Sequence, residues 1–450
     1  MAADIGTYTA WSSSGSLASI LKEFYLGPVV EELNQEVMVL QLFEKATVDW
    51  NGRLCHIPVH TGRNTAVEFL AEGAPFATAQ QQQWRHLTVR AHFLYGHFQI
   101  SGPAIASAKA GGKGAFIGWM EAEMTRLVDD VKNLADATLI SGGSCIGYLT
   151  ADFNSIGAAN WSFDGDFAKA TDAIAPAGTG NVRVARQDSP GFLADGTTER
   201  NANYLDDITA AVAINSVDEA GGTINLAALD TTATASGFGL PVYLTGADAT
   251  ATDTQPRGIL ANLSETTVFG LNRAGTAVVG ATNELPAMQC LVMTAKAQNT
   301  EDANERDDLS AERMQQVIDE VAVLSGKEPD CILCHPTVRA NYVAMMTTAN
   351  SLQTTTRGGA TKGDVGFLDL SYQNIPLKYG RHVPRGLMFF LNTKSWKIAE
   401  LQGGSFADLD GSTLNRTGSS DEWNGYYRWY YNLVCVQPNC NAVLCGISLS

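Results

Sequence analysis

Apolar positions near the amino end of the chain follow a helical period. Between residues 16 and 46, Leu17 and Phe24 lie on one helical face, and the pattern resumes after a break at Gly27-Pro28. No apolar segment that could cover this face lies nearby in the sequence. We therefore predict a broken helical arm that packs on the main body or on another copy of the chain.

The next pattern, over residues 53–100, has the period of two that is typical of strands. Odd positions from Leu87 to Tyr95 are apolar, whereas the even positions are mostly polar or charged. Beyond Gly96 the apolar parity shifts to the even positions, which predicts a bulge at the glycine. A Gly/Ala/Gln-rich stretch separates two such extended segments, so the whole predicts a long β-hairpin arm.

A strong helical stripe follows over residues 113–140. Its members recur about every 3.5 residues and are Ile117, Met120, Met124, Leu127, Val131, Leu134 and Thr138. Some 26 residues at about 1.5 Å each give a rod of roughly 40 Å, which spans a domain.

From about residue 147 to 257 the pattern changes to short β-type runs separated by turn residues. The clearest runs are Ile208–Ile214, Thr223–Leu226 and Leu240–Leu244. Residues 151–256 hold one Lys and three Arg against fourteen Asp and Glu, a net charge of −10. This segment is interpreted as an inserted, exposed and acidic β domain.

The remainder alternates between helix and strand. Ser310 is placed to cap a helix that ends at Gly326. A strand is predicted at Cys331–Cys334, and Pro336 opens a further helix. The last extended segments are Ile375–Tyr379, Leu387–Leu391, Trp396–Leu401 and Trp429–Ile447.

Composition narrows the functional class. The 450 residues carry a net charge of −17, so the chain lacks the basic excess that tight nucleic-acid binding requires. No apolar run reaches the roughly 18 residues needed to cross a bilayer, and the first residues lack the features of a signal peptide. We therefore expect no membrane contact, and assembly in the cytoplasm with the eight scattered cysteines reduced.

The order of these elements resembles that of the tailed-bacteriophage major capsid proteins, whose fold is shared with encapsulins. Three segments carry the resemblance in detail: Ala-Glu-Gly-Ala-Pro-Phe at 71–76, the strand-to-helix segment at 327–336, and the closing strands at 429–447. The resemblance implies an α+β fold whose parts are an N-terminal arm (1–48), an E-loop hairpin (49–100), a peripheral domain with a spine helix (101–149), the inserted β domain (150–257), an axial domain (258–395), and the peripheral return strands and loop with the closing strands (396–450).

The function implied by this resemblance is structural. Such chains assemble into hexamers and pentamers of an icosahedral shell that encloses double-stranded DNA in the virion, with arms lying across neighbouring subunits. The expected partners are other copies of the chain, separate scaffolding, portal and decoration proteins, and DNA enclosed without sequence-specific binding. An encapsulin-type shell is the alternative, and a hydrolase is a third hypothesis.

Residues expected at contacts between subunits are apolar and charged side chains of the two arms and of a late loop. They are Leu17, Phe24, Arg53, Arg63, Glu68, Glu72, Phe76, Trp84, Arg85, Arg90, Asp408, Asp410 and Arg416. Some relatives join subunits covalently through an E-loop lysine. Here no lysine occurs between Lys45 and Lys109, so we expect a shell without such links.

Several motifs could suggest other chemistry. Cys331-x-x-Cys334-His335 could suggest zinc or redox chemistry, but structural thiols are the preferred interpretation. Cys435, Cys440 and Cys445 are each five residues apart and are interpreted as core or interface thiols. The pairs His56/His60 and His86/His92 are each expected to share a strand face, where a metal site is conceivable and exposed polar positions are the simpler explanation.

Three further motifs depart from the patterns they resemble. Residues 143–147 have the G-x-C-x-G spacing of a nucleophile elbow but follow a helix instead of a strand. Residues 111–114 lack the Ser or Thr of a phosphate-binding loop. Residues 408–411 match only the first two acids of a calcium loop. We therefore expect no catalytic residue, no metal and no cofactor.

Overall fold

The fold was analysed in a computed structural model of the chain. The structure describes residues 39–47, 50, 52, 54–62, 64, 66–72, 75–76, 78–103, 113–141, 145–149, 160–165, 170, 182–186, 206–207, 214–226, 240–244, 256–264, 267–269, 271–272, 290–295, 308–348, 370–407, 415–416 and 421–447.

The helices and strands alternate along the chain as an α+β protein. The helices are α1 Val39–Leu42, α2 Lys113–Ser141, α3 Ile259–Ser264, α4 Ala311–Ser325 and α5 Pro336–Thr348. The strands are β1 Glu44–Thr47, β2 Leu54–Gly62, β3 Gln83–Arg90, β4 His92–Ser101, β5 Cys145–Leu149, β6 Asn160–Gly165, β7 Val182–Arg186, β8 Asp206–Asp207, β9 Ile214–Asp218, β10 Thr223–Leu226, β11 Leu240–Leu244, β12 Thr267–Val268, β13 Leu271–Asn272, β14 Leu291–Thr294, β15 Cys331–Cys334, β16 Ser371–Tyr372, β17 Ile375–Tyr379, β18 Met388–Leu391, β19 Trp396–Phe406, β20 Asn415–Arg416, β21 Glu422–Cys435 and β22 Ala442–Cys445.

The long strands β19 and β21 organise the first sheet. Its order is β1-β19-β21-β20, and β4 pairs with β21 over ten residue pairs, from Glu422↔Ser101 to Tyr431↔His92. The predicted long helix α2 packs on this sheet at Gly96, where an added Cβ would lie 2.8 Å from Val131 Cγ2. The glycine therefore permits a close approach between strand and helix, and no bulge lies there.

The predicted apolar stripe of α2 is confirmed at Val131 and Thr138, which are buried. Between them the prediction is wrong by one residue, since it named Leu134 in place of Ala135. Leu134 is 37% exposed, whereas Ala135 is fully buried. Asp136, expected on the polar side, is buried and accepts a hydrogen bond from the backbone N–H of Leu40 at 2.9 Å. This hydrogen bond to a backbone N–H of α1 offsets part of the free-energy cost of burying the carboxylate.

The axial part is a six-stranded sheet in the order β14-β22-β18-β15-β17-β16. Helix α4 packs on it and has the predicted caps: Ser310 accepts a hydrogen bond from Arg313 N–H, and Gly326 has φ of 69°. The predicted strand Cys331–Cys334 and the helix opening at Pro336 are also confirmed.

A seven-stranded sheet occupies the acidic segment, in the order β8-β7-β11-β5-β6-β10-β9. The predicted strands Thr223–Leu226 and Leu240–Leu244 are confirmed, whereas 208–213 lie outside the described residues. The strand preceding these, β5, pairs with β11 and β6, so the sheet includes the residues directly after the long helix.

Two sequence predictions in the arms are wrong. The first helical segment ends at Leu42, and Glu44–Thr47 form a strand parallel to β19, because pairing with the sheet outweighs the helical pattern. Residues 16–38 lie outside the described part. The parity switch predicted at Gly96 occurs instead between Ala91 and His92, where the chain passes from β3 to β4.

Candidate assembly interface

The hairpin arm, residues 54–90, has one face anchored on its own subunit. Strands β2 and β3 pair from Leu54↔Arg90 to Gly62↔Gln83. Cys55, Leu87 and Val89 are buried in one cluster with residues of the turn after β12 and of the closing strands. Thr88 N–H also donates to the carbonyl of Phe269 at 3.1 Å. The base of the arm is therefore fixed within the subunit.

Within the tip of the arm, residues 66–80, the described residues from Val67 onward are exposed, and several of them are large and apolar. Its large exposed side chains, with their exposed fractions, are Phe69 (107%), Phe76 (92%), Val67 (84%) and Leu70 (41%). Trp84, where β3 begins, is 61% exposed. An apolar group of this kind on an extended arm is typical of a protein-binding surface.

The polar residue Asn64 connects the two sides of the tip. Its Nδ2 donates to the carbonyl of Gln80 at 2.8 Å, and its Oδ1 accepts from Ala66 N–H at 2.8 Å. The tip backbone is thus cross-bridged while its apolar side chains remain in solvent. An ordered apolar surface loses less conformational entropy on binding than a flexible one.

The structure brings six of the predicted contact residues together on the arm. Glu68, Glu72, Phe76, Trp84, Arg85 and Arg90 are all exposed there. Leu17, Phe24, Arg53, Arg63, Asp408 and Asp410 lie outside the described residues, and for Arg416 only the backbone of β20 is described. Whether these residues contact another subunit stays a prediction.

Sequence reasoning did not single out Val67, Phe69 and Leu70, whose side chains are exposed at the tip. The signal was present, since three large apolar residues stand within four positions at the end of the first predicted extended segment. It also placed Phe93 and Tyr95 on the apolar stripe of the hairpin, whereas they are 42% and 55% exposed. The switch of parity at Ala91 turns them away from the core.

Phe93 and Tyr95 form an aromatic face with Tyr430. This face lies on the side of the first sheet that points away from α2. The rings of Phe93 and Tyr430 meet edge-to-face at 4.8 Å, and the hydroxyls of Tyr95 and Tyr430 are 2.9 Å apart. This hydrogen bond, together with partial burial, raises the pKa of Tyr95 above its usual value. The aromatic face is a second exposed surface able to receive apolar groups.

Cys331 and Cys334, for which structural thiols were expected, have the properties of buried thiols. Both side chains are buried, and burial raises the pKa of Cys331 to about 11 and of Cys334 to about 12. His335 accepts a hydrogen bond at Nδ1 from Thr337 N–H at 3.2 Å and so caps α5. Across the described residues, no group of three or more His, Cys, Asp or Glu side chains is placed to hold a metal ion.

The histidines of the arm divide between two environments. His56 and His60 are exposed on the outer face of β2, and His86 is exposed beside them on β3. His92 is buried, so the expectation that His86 and His92 share a face is wrong. The reason is again the change of pairing partner between β3 and β4.

The G-x-C-x-G motif enters β5 directly from the segment after α2. A nucleophile elbow requires a strand followed by a helix, so this motif has the opposite order. Lys113 and Gly114 begin α2, and residues 408–410 lie outside the described part of the chain.

Comparisons with known proteins agree with this architecture. Residues 239–448, somewhat less than half of the chain, match the family model described as the SU10 major capsid protein. The chain has the tailed-phage major capsid fold, and its residues 239–448 are similar to a family of capsid shell proteins. The α+β fold expected from the sequence is therefore confirmed.

Solved structures extend the likeness over nearly the whole length. The capsid asymmetric unit of cyanophage A-1(L) superposes with a TM-score of 0.50 at 11% identity, covering 93% of this chain and 95% of that one. The capsid of a native GTA particle gives 0.47 at 8% identity, covering 99% and 100%. The SrpI encapsulin complex of Synechococcus elongatus gives 0.45 at 8% identity, covering 97% and 96%.

A comparison with curated protein sequences gave no match. The encapsulin alternative is the less supported one, because the matching family model describes a phage capsid protein. Among the helices in the described part of the chain, none is long and apolar enough to cross a membrane.

Proposed function

We propose that copies of this chain form the hexamers and pentamers of an icosahedral shell that encloses phage double-stranded DNA. The observation that carries the proposal is the hairpin arm, whose base is buried in its own subunit and whose tip exposes Phe69 and Phe76. Burying one such side chain contributes roughly 1.5 to 3 kcal/mol, and a shell repeats the contact many times.

The proposed acceptor for the tip is the aromatic face of Phe93, Tyr95 and Tyr430 in a neighbouring copy. The apolar side chains of the tip are exposed, as are Phe93 and Tyr95, whereas Tyr430 is half-buried. Aromatic pairs contribute beyond simple area burial. The charged residues Glu68, Glu72 and Arg85 surround the tip and strand and supply a polar rim. A rim of this kind favours one register of binding over others.

The charge of the chain supports enclosure of DNA without sequence-specific binding. The net charge is −17, and residues 151–256 contribute −10 of it. A surface so acidic repels phosphate, so we propose that the inserted sheet faces the outside of the shell. Reconstruction of shells by electron microscopy tests this, and density for the insertion on the inner wall would contradict it.

The remaining parts of the proposal concern partners and place of assembly. We propose that shells form in the host cytoplasm, with any scaffolding, portal and decoration proteins encoded as separate chains. The N-terminal arm, residues 1–48, is proposed to contribute to contacts between subunits. Deleting it should leave soluble subunits without closed shells, whereas normal shells from the truncated chain would contradict this role.

We further propose that the chain is not an enzyme. The buried thiols of Cys331 and Cys334 have raised pKa values, which disfavours the reactive thiolate. The G-x-C-x-G motif lacks the strand-to-helix order of a hydrolase. These features support a structural role over the hydrolase hypothesis.

Introducing aspartates at the tip tests its proposed role in contacts between subunits. The double variant Phe69→Asp/Phe76→Asp should yield soluble subunits and few closed shells in sedimentation and electron microscopy, because two carboxylates would be buried at the contact. Val323→Asp is the matched control, since Val323 is 85% exposed on α4 and away from the arm. Equal shell yields from the tip variant and the control would overturn the proposal.

The acceptor is tested separately with Phe93→Asp/Tyr95→Asp. If this variant also loses shells, tip and aromatic face act together. If it assembles normally while the tip variant does not, the tip packs against a different surface and the acceptor proposal fails.

A further inference from the structure

The outer face of the hairpin arm brings two imidazole rings into contact. His86 on β3 lies opposite Pro58 on β2, so it is the diagonal neighbour of His56. The ring centroids of His56 and His86 are 5.3 Å apart, with an interplanar angle of 83°. Both side chains are exposed. Neither belongs to the apolar tip or to the buried base of the arm.

Hydrogen bonds distinguish this pair from the third histidine of the face. His60 Nε2 is 2.6 Å from Gln82 Oε1, and its ring packs on Trp84 at 5.0 Å, so His60 already has partners. His56 Nδ1 is 3.4 Å from Thr88 Oγ1. When His56 Nδ1–H donates to this hydroxyl, Nε2 carries the free lone pair. Nε2 is then the atom that can bind a metal, and it points away from the strand.

We propose that His56 and His86 form a two-histidine site for a divalent transition-metal ion. Diagonal neighbours on adjacent strands have Cβ atoms within about 7 to 8 Å, and imidazole nitrogens bind Zn²⁺ at about 2.0 to 2.1 Å. Rotation of two exposed rings brings both nitrogens to one ion. Water completes the coordination, so the site needs no third protein ligand.

The ligand set selects the class of metal. Imidazole nitrogens suit Zn²⁺, Ni²⁺ and Cu²⁺, whereas Ca²⁺ and Mg²⁺ require several oxygen ligands. The described neighbours of the pair on this face are Leu54, Pro58, His60, Trp84, Thr88 and Arg90, and none of them is a carboxylate. The site therefore favours the transition metals and leaves calcium and magnesium unbound.

Titration calorimetry with NiCl₂ and with ZnCl₂ on the full chain, before shell assembly, tests the proposal. We expect one ion per chain, with affinity at least about tenfold lower in His56→Asn and in His86→Asn, a change of about 1.4 kcal/mol. His97→Asn is the matched control, because His97 is an exposed strand histidine on β4. It should bind as the unmodified chain does.

The other outcomes of the titration are also decisive. Undiminished binding by the double variant His56→Asn/His86→Asn would place the ion elsewhere and overturn the proposal. If His60→Asn lost metal binding and His56→Asn kept it, the ion would belong to a different pair of histidines. Electron paramagnetic resonance with Cu²⁺ gives a second readout, in which coupling to two imidazole nitrogens is expected and coupling to fewer would contradict the site.

Discussion

At the scale of single residues, one buried amide holds the closing segment together. Asn441 Oδ1 accepts from Trp396 Nε1 at 3.0 Å and from Asn392 N–H at 2.9 Å. Its Nδ2 donates to Ser395 Oγ at 3.1 Å and to the carbonyl of Gln437 at 3.1 Å. Asn441 is fully buried, so no water replaces these partners.

Replacing this amide should destabilise the subunit strongly. We expect Asn441→Ala to lower the free energy of unfolding by about 2 to 3 kcal/mol, because Trp396 Nε1 and Asn392 N–H would be left buried without an acceptor. Urea unfolding of the unassembled chain measures this. Asn215→Ala is the control, since Asn215 is exposed on β9, and an equal loss in both variants would argue against the role of Asn441.

The buried thiols give a second residue-scale prediction. With pKa values raised to about 11 and about 12, Cys331 and Cys334 stay protonated at pH 8, and the thiol form does not react with iodoacetamide. Mass spectrometry should find both unlabelled in the folded chain at pH 8 and fully labelled in urea. Rapid labelling of either cysteine in the folded chain would contradict the burial.

At the scale of elements, sequence patterns succeeded where the signal is local. The caps of α4 at Ser310 and Gly326 depend on neighbouring residues alone, and both were predicted. The parity switch at Ala91 was misplaced because it depends on distant partners: β3 pairs with β2, whereas β4 pairs with β21. The alternation of apolar and polar residues within a strand does not indicate which other strand it pairs with.

The contact between strand β4 and helix α2 makes Gly96 a sensitive position. We expect Gly96→Ala to cost about 1 to 3 kcal/mol of stability, because the new methyl group would overlap Val131 and press on Leu127. In the double variant Gly96→Ala/Val131→Ala the Val131 methyl groups no longer overlap the new Cβ, so part of the lost stability should return. The recovery should be incomplete, because alanine at position 131 buries less apolar surface than valine.

A matched glycine checks this interpretation. For Gly403 on β19, the nearest atom to an added Cβ is Glu400 Oε2 at 4.0 Å, so Gly403→Ala should be nearly neutral. Thermal unfolding compares the two variants. If Gly403→Ala were as destabilising as Gly96→Ala, the cost would come from the strand itself and not from the helix contact.

At the scale of the whole molecule, the order of elements carried the identification. A hairpin and a long helix precede an α/β sheet in both the sequence prediction and the described part of the structure. The contact surface was harder to predict, because the exposure of Phe69 has no explanation within one chain. In the proposed shell another copy would bury this side chain, and a single sequence does not display that copy.

The last prediction concerns how neighbouring subunits are held. Some tailed-phage capsid proteins join subunits by an isopeptide bond that needs a lysine amine on the E-loop, and arginine cannot replace it because its guanidinium stays protonated. Here no lysine lies between Lys45 and Lys109. Lys45 itself lies 3.6 Å from Glu400 and over the ring of Trp429, on the subunit's own sheet.

Disulfide bonds are the other covalent route, and in the arm only Cys55 could form one. Its side chain is 1% exposed, packed under the hairpin against the first sheet, so it cannot reach a thiol of a neighbour. In the proposed shell we therefore expect non-covalent burial of the arms to hold neighbouring subunits, and such contacts dissociate in hot detergent. Purified shells boiled in dodecyl sulfate without reductant should give a single band at the monomer mass of 48.0 kDa. A ladder of dimers, pentamers and hexamers would show that a covalent link exists outside the arm, and its loss on adding reductant would identify that link as a disulfide.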